Sequence, residues 1–281
     1  MKNIVIFGGA FDPIHFGHMN MAINASKFLD ADVYFVPARV SVWKNKSTDV
    51  KDRIAMISLA IKQSGMDQKL KISRVEADSN QDINYTIDTI KQFKRAFPQD
   101  QLYLLIGTDQ VNSFDKWKCA SEIASLAQII YFERGGLELD SKLIKQFNMM
   151  KISGDVSDAS STKIRDLLSL DTPYEVIDYI ISHNLYFVNK LKLYLSEDRY
   201  AHSVSVAKLA YQIAHLNRLN NPGDFMIAGL LHDIGKNLPF DRQLQIMNQY
   251  FPEYIYLNRK IYHQFTGAYL AKNDFGMMLI D

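Results

Sequence analysis

Residues 4 to 18, Ile-Val-Ile-Phe-Gly-Gly-Ala-Phe-Asp-Pro-Ile-His-Phe-Gly-His, constrain the fold more than any other stretch. Ile4 to Phe7 is a short apolar, β-branched run that reads as a strand buried on both faces. Gly8 and Gly9 follow at once, where a strand must turn and leave backbone N–H groups open to a ligand. Pro13 rules out an early helix, and a helical pattern begins near Gly17, with Ala22, Ala25 and Leu29 at helical spacing. His15 and His18 are three apart, so they share a face if the first turn is already helical. A helix N-terminus favours an anion through its unpaired N–H groups and its dipole. A strand, a glycine turn and two imidazoles at such an end suit a polyphosphate.

The same alternation continues. Ala31 to Pro37 reads as a second strand, and Asp49 can cap a helix whose apolar positions Val50, Ile54, Ile57 and Ile61 form one stripe. Strands are expected over 70–75, 102–106, 129–132 and 149–152, with helices over 86–97, 120–126 and 141–147. This pattern predicts an α/β architecture, a Rossmann-like doubly wound parallel sheet with helices on both faces. Ligands of such sheets sit beyond the carboxyl ends of the strands, where the remaining motifs fall. These are Pro37 to Lys46 with Lys44; Asn84-Tyr-Thr-Ile-Asp-Thr-Ile90 at a helix start, capped by Asn84 or Thr86; Ile106-Gly-Thr-Asp109 leading to Trp117; Arg134 before Gly135-Gly136; and Ser160-Ser-Thr-Lys-Ile-Arg165. Arg165 is expected in the first turn of a helix, where a cation opposes the dipole unless an anion offsets it.

Composition narrows the class. The 281 residues carry a net charge of +1, so no strong field points to nucleic acid or to an anionic membrane. Cys119 is the single cysteine, which excludes an internal disulfide and suits a reducing cytoplasm. The N-terminus runs directly into a strand, without a signal peptide's basic and apolar regions, and no apolar run reaches the roughly 20 residues that span a bilayer. A cytoplasmic protein with neither membrane nor nucleic-acid partners is expected.

The opening string resembles the fingerprint Gly-Gly-[Thr/Ser]-Phe-Asp-Pro-x-His-x-Gly-His of nucleotidyltransferases, in the form used by bacterial nicotinate-nucleotide adenylyltransferases. Ala10 stands where that family usually carries Thr or Ser, so a hydroxyl contact to phosphate is absent. The resemblance implies transfer of AMP from ATP to nicotinate mononucleotide, by in-line attack and with no covalent intermediate. It assigns His18, His15, Lys44 and Arg165 to catalysis by charge stabilisation. Gly8, Gly9, Ala10, Phe11, Gly107, Asp109, Ser160, Ser161 and Thr162 would hold ATP. Tyr85, Thr86, Trp117 and Arg134 would hold the acceptor, with Thr86 and Tyr85 offering donors to the pyridine carboxylate and Trp117 stacking on its ring. Mg2+ would arrive with ATP, since the motifs supply no acidic cage.

A second pattern follows. A helix over 173–185 closes a first domain, placed at residues 1–188, and residues 189–281 read as all-helical. They carry Arg199-Tyr-Ala-His-Ser203, Leu230-Leu-His-Asp233 with Lys236, and His263. Imidazole and carboxylate groups on successive helices suit a transition metal such as iron or manganese. The pattern resembles the HD superfamily of metal-dependent phosphohydrolases and, within it, bacterial diadenosine tetraphosphate hydrolases. That resemblance makes His202, His232, Asp233 and His263 metal ligands and Lys236 a phosphate contact. The family continues beyond Met277-Met-Leu-Ile-Asp281, so the domain reads as incomplete at its C-terminus. Either a hydrolase of dinucleoside polyphosphates or a non-catalytic nucleotide-sensing module fits this half.

Overall fold

The computed structural model describes residues 1–39, 48–81, 83–132, 138–154 and 157–277. Its chain divides into two compact units, residues 1–159 and 160–281.

In the first unit the elements run β1 (Asn3–Gly9), α1 (Phe16–Leu29), β2 (Ala31–Pro37), α2 (Val50–Ser64), β3 (Leu70–Ile72), α3 (Thr86–Ala96), β4 (Gln101–Ile106), α4 (Thr108–Val111), α5 (Ala120–Leu126), β5 (Gln128–Phe132), α6 (Ser141–Gln146) and β6 (Met150–Ile152). The six strands form one parallel sheet in the order β3-β2-β1-β4-β5-β6. The order reverses between β1 and β4, and the crevice at their carboxyl ends is where such sheets bind ligands. One core joins Ile4 and Ile6 of β1 to Leu102, Leu104 and Ile106 of β4, and to Ile87, Ile90 and Phe93 of α3. Burying these apolar side chains fixes which face each strand turns to α3, because a one-residue slip would move them to the opposite face of the sheet.

Three local expectations need correction. β3 stops at Ile72 instead of Val75. Ser73 still donates its N–H to the Phe35 carbonyl (2.9 Å), but the chain then turns, with Arg74 paired to Asp78. The cap of α3 is Tyr85, with no side-chain bond; the Asn84 amide donates instead to the Glu76 carbonyl at 3.3 Å. His15 is the extended N-cap of α1, so the two imidazoles do not share a helical face in the way that spacing alone implies.

The second unit is helical: α7 (Ser161–Arg165), α8 (Tyr174–Ser182), α9 (Phe187–Tyr194), α10 (Glu197–Leu216), α11 (Pro222–Leu231), α12 (Phe240–Tyr250) and α13 (Tyr262–Phe275). The apolar side of α8, Val176, Ile177, Ile180 and Ile181, is buried as expected. α10 and α11 pack closely at Gly229, where a Cβ would lie 2.5 Å from Ala207 Cα. Among the described residues no helix is long and apolar enough to cross a membrane.

Candidate active site

A cavity of about 640 Å3 opens in the first unit at the reversal point of the sheet. Gly8, Gly9 and Ala10, beyond β1, form one side; Tyr85 and Thr86 at the start of α3, Asp109 after β4, and Trp117 form the other. Seven of the residues singled out in the sequence therefore line one cavity. Chain order does not bring them together: the parallel sheet does, by placing the ends of β1 and β4 side by side.

The glycine turn is locally determined. Phe11 adopts a left-handed backbone (φ 49°), and its buried ring meets Phe7 edge-on at 5.3 Å. His15 is 4% exposed and accepts the His18 N–H at Nδ1 through a long bond of 3.4 Å. The two imidazoles stack, with centroids 3.6 Å apart and planes at 25°. Gly17 makes this possible, because a Cβ there would press on the His15 ring at 3.0 Å and on the Ser157 carbonyl at 3.1 Å. His18 meets the Phe11 ring edge-on at 5.0 Å. The histidines thus stand beside the turn rather than on the cavity wall.

At the other end, Tyr85 caps α3 without occupying its first N–H groups with a side chain. Those donors and the helix dipole favour a carboxylate. Lys118 lies 3.7 Å above the Tyr85 ring, adding a cation nearby. Trp117 is half-buried and packs on Phe114 (5.3 Å, 45°), which leaves a ring face for stacking. Asp109 folds over Gly107, whose Cβ position would lie 2.6 Å from Oδ1, and the Gln110 side chain accepts the Gly107 N–H at 3.1 Å.

Sequence reasoning missed two groups here. Glu76 lines the cavity and accepts the Thr89 hydroxyl at 2.6 Å. Burial pushes its carboxyl above the usual range, against the Thr89 bond, which pulls it down. Arg53, completely buried, donates to four backbone carbonyls around the glycine turn. Nothing local marks either one.

Lys44 and Arg134 lie outside the described residues. Ser160, Ser161, Thr162 and Arg165 belong to the second unit. Ser160 is an extended N-cap that makes no side-chain capping bond. Arg165 ends a five-residue helix instead of beginning a longer one, and it donates to the Thr162 hydroxyl at 2.8 Å. The dipole argument for an anion at Arg165 therefore falls away.

The second unit holds its own cluster. Ligand atoms of His202 on α10 and of His232 and Asp233 after α11 lie within 4.8 Å of one another. His232 places Nδ1 at 2.7 Å from the Gly229 carbonyl. That contact requires the proton on Nδ1, so in the neutral ring the lone pair is on Nε2, the arrangement common to metal-bound histidines. Asp233 is 2% exposed, and Lys236 reaches both of its oxygens, at 2.9 and 3.0 Å. Burial alone would raise its carboxyl, but Lys236, the His232 ring when protonated, and Arg199 outweigh burial and hold it below the usual range. Two imidazoles and a carboxylate fit a transition metal. His263 on α13 is not in this group; its Nδ1 lies 2.8 Å from the Lys260 carbonyl.

Comparison with known proteins agrees with both halves. The cytidylyltransferase-like family matches residues 6–167, and the HD domain matches residues 199–279. A Mycoplasma genitalium protein named "Probable nicotinate-nucleotide adenylyltransferase/Ap4A hydrolase" is 33% identical over 98% of this chain and 78% of its own length. Its Mycoplasma pneumoniae counterpart of the same name is 31% identical over 97% and 78%. A Borrelia hermsii "Probable nicotinate-nucleotide adenylyltransferase" is 33% identical over 66% of this chain and 99% of its own. Among solved structures, Plasmodium falciparum nicotinic acid mononucleotide adenylyltransferase complexed with NaAD is 26% identical, with a TM-score of 0.58. That match covers 68% of this chain and 100% of the other. The same enzyme complexed with APC gives a TM-score of 0.56.

Proposed function

For a chain that belongs to the cytidylyltransferase-like family and carries an HD domain after it, we propose adenylyl transfer as the activity of the first half. AMP passes from ATP to nicotinate mononucleotide, giving nicotinate adenine dinucleotide and pyrophosphate, a step of NAD biosynthesis. One observation carries this reading: a single cavity has a glycine turn at one end and an uncapped helix start with a tryptophan at the other. The first suits phosphates and the second a pyridine carboxylate.

The mononucleotide phosphate attacks the α-phosphorus in line, a P–O bond forms, and the bond to the departing pyrophosphate breaks. Two anions must be held together, so positioning and charge neutralisation supply the rate. His18 stabilises the α-phosphate, and Gly8 to Phe11 offer N–H donors. Asp109 accepts from a ribose, and Trp117 stacks on the pyridine ring. Ser160, Ser161, Thr162 and Arg165 keep the role their motif implies, the β and γ phosphates, as do His15, Lys44, Gly107 and Arg134 theirs. Mg2+ arrives with ATP. We place the boundary between the two functions at residue 188 and the protein in the cytoplasm. Pyrophosphate release, assayed with ATP, magnesium and either nicotinate or nicotinamide mononucleotide, tests the reading. No release with either acceptor refutes it.

The His202–His232–Asp233 cluster favours a second reading, a metal-dependent phosphohydrolase of dinucleoside polyphosphates. Those residues, with His263 if α13 supplies it, would hold iron or manganese, which polarises a phosphate and activates water. Lys236 would face the phosphate. Metal analysis of the purified chain separates this from a nucleotide-sensing module. Iron or manganese lost on His232→Ala supports the hydrolase; metal at background removes it.

A further inference from the structure

Arg53 is the fourth residue of α2 and is completely buried, and its guanidinium group donates to backbone carbonyls. Its Nη1 donates to the Ala10 carbonyl at 2.7 Å. Nη2 donates to the carbonyls of Ala38 (2.6 Å) and Arg39 (3.1 Å), and Nε to that of Thr48 (3.0 Å). A buried guanidinium used on backbone carbonyls fixes peptide planes, and here one of those planes belongs to the glycine turn.

Its consequence follows from peptide geometry. In a trans peptide the carbonyl and the next N–H point in opposite directions. The Ala10 carbonyl faces Arg53, so the Phe11 N–H faces away from it. The preceding plane is set in the same sense, since the Gly9 carbonyl accepts the Ala38 N–H at 3.0 Å and the Ala10 N–H therefore points away from β2. Gly9 and Ala10 both line the cavity. Phe11 is left-handed, the backbone state that lets successive N–H groups gather around an anion. With Ala10 in place of a hydroxyl residue, the turn has only its N–H groups to offer.

We propose that Arg53 is a positioning residue that holds the Ala10 peptide and so aims the Ala10 and Phe11 N–H groups at the phosphates of ATP. This rests on the adenylyl-transfer reading of the same cavity. Lysine cannot replace it: an ammonium is a point charge, whereas the planar guanidinium directs its N–H groups from several edges in one plane to several carbonyls at once.

The test compares Arg53→Lys with the wild-type chain by calorimetric binding of Mg–ATP and by steady-state kinetics. A misplacement near 1 Å costs about 10²-fold. ATP binding is expected to weaken about tenfold or more and kcat to fall about 10²-fold, with KM for nicotinate mononucleotide within about twofold. ATP affinity and kcat both within about twofold, or equal losses for both substrates, would overturn the proposal. If Arg53→Lys does not fold, Arg53→Ala is measured with millimolar guanidinium chloride. Recovered ATP binding supports the proposal. A folded chain that does not bind ATP, or a chain that stays unfolded, overturns it. Wild-type chain that binds ATP but makes no dinucleotide would sink the transfer reading and leave the Arg53 comparison intact.

Discussion

The rings of His15 and His18 stack at 3.6 Å although the two residues lie on opposite sides of a helix boundary. His15 is the cap, with Nδ1 accepting from His18, and His18 is the third helical residue. His15 therefore carries the capping task at this helix start.

Substitution should separate the two. His18→Ala is expected to keep the fold and lower kcat by roughly 10²–10³, the worth of one charge-stabilising donor. His15→Ala should lower kcat and also cost about 1 kcal/mol of stability through the lost cap. His15→Asn, which retains a capping acceptor, should restore the stability. Thermal midpoints and turnover of the three variants decide this. His18→Ala turning over within about threefold of wild type would remove His18 from the mechanism.

Trp117 is assigned to the acceptor and not to the reacting phosphates. Trp117→Ala is expected to raise KM for nicotinate mononucleotide about tenfold while kcat and KM for ATP stay within a few-fold. A loss confined to kcat would place the indole elsewhere in the reaction.

Glu76 carries a pH signature. Its carboxyl titrates above the ordinary 4.5 in the folded chain because burial disfavours the charge, a rise that the Thr89 bond only partly offsets. The folded state then binds more protons than the unfolded one over that interval, so stability falls as pH rises through it. Glu76→Gln keeps an acceptor for Thr89 and removes the titration. Melting temperatures followed from about pH 4 to about pH 7 should show the wild type losing ground to the variant. Parallel curves would mean that the carboxyl is not desolvated.

Gly235 lies where the turn after Asp233 meets α13. A Cβ there would sit 2.4 Å from the His263 carbonyl and 2.7 Å from the Gly267 nitrogen, both backbone atoms. The helix itself must move to admit it. Gly235→Ala should destabilise the second unit by about 1–3 kcal/mol, read as a lower denaturation midpoint. An unchanged midpoint would show that α13 is not held against this turn.

The alternation of elements was legible because each strand is a compact apolar run bounded by Gly, Pro or a cap. β2 and α5 fall on their expected residues, and α3, β4, β5, α6 and β6 lie within one residue of theirs at either end. Sheet order was not readable beyond parallel pairing, since periodicity says which face is buried and not which strand is the neighbour. The motifs named most of the cavity wall, because glycines, a helix start and a tryptophan are local signals. Arg53 and Glu76 escaped for the opposite reason. Arg53 reaches Ala10, 43 residues away, and Glu76 meets Thr89, 13 away, so neither contact exists until the sheet has formed.

Adenylyl transfer is tested most directly by following phosphorus through one turnover. ATP labelled at the α-phosphate and, separately, at the γ-phosphate is mixed with magnesium, nicotinate mononucleotide and the full chain. The α-label is expected in nicotinate adenine dinucleotide and the γ-label in pyrophosphate. An α-label that stays in ATP or emerges only as free AMP, with no dinucleotide formed, would contradict the assignment.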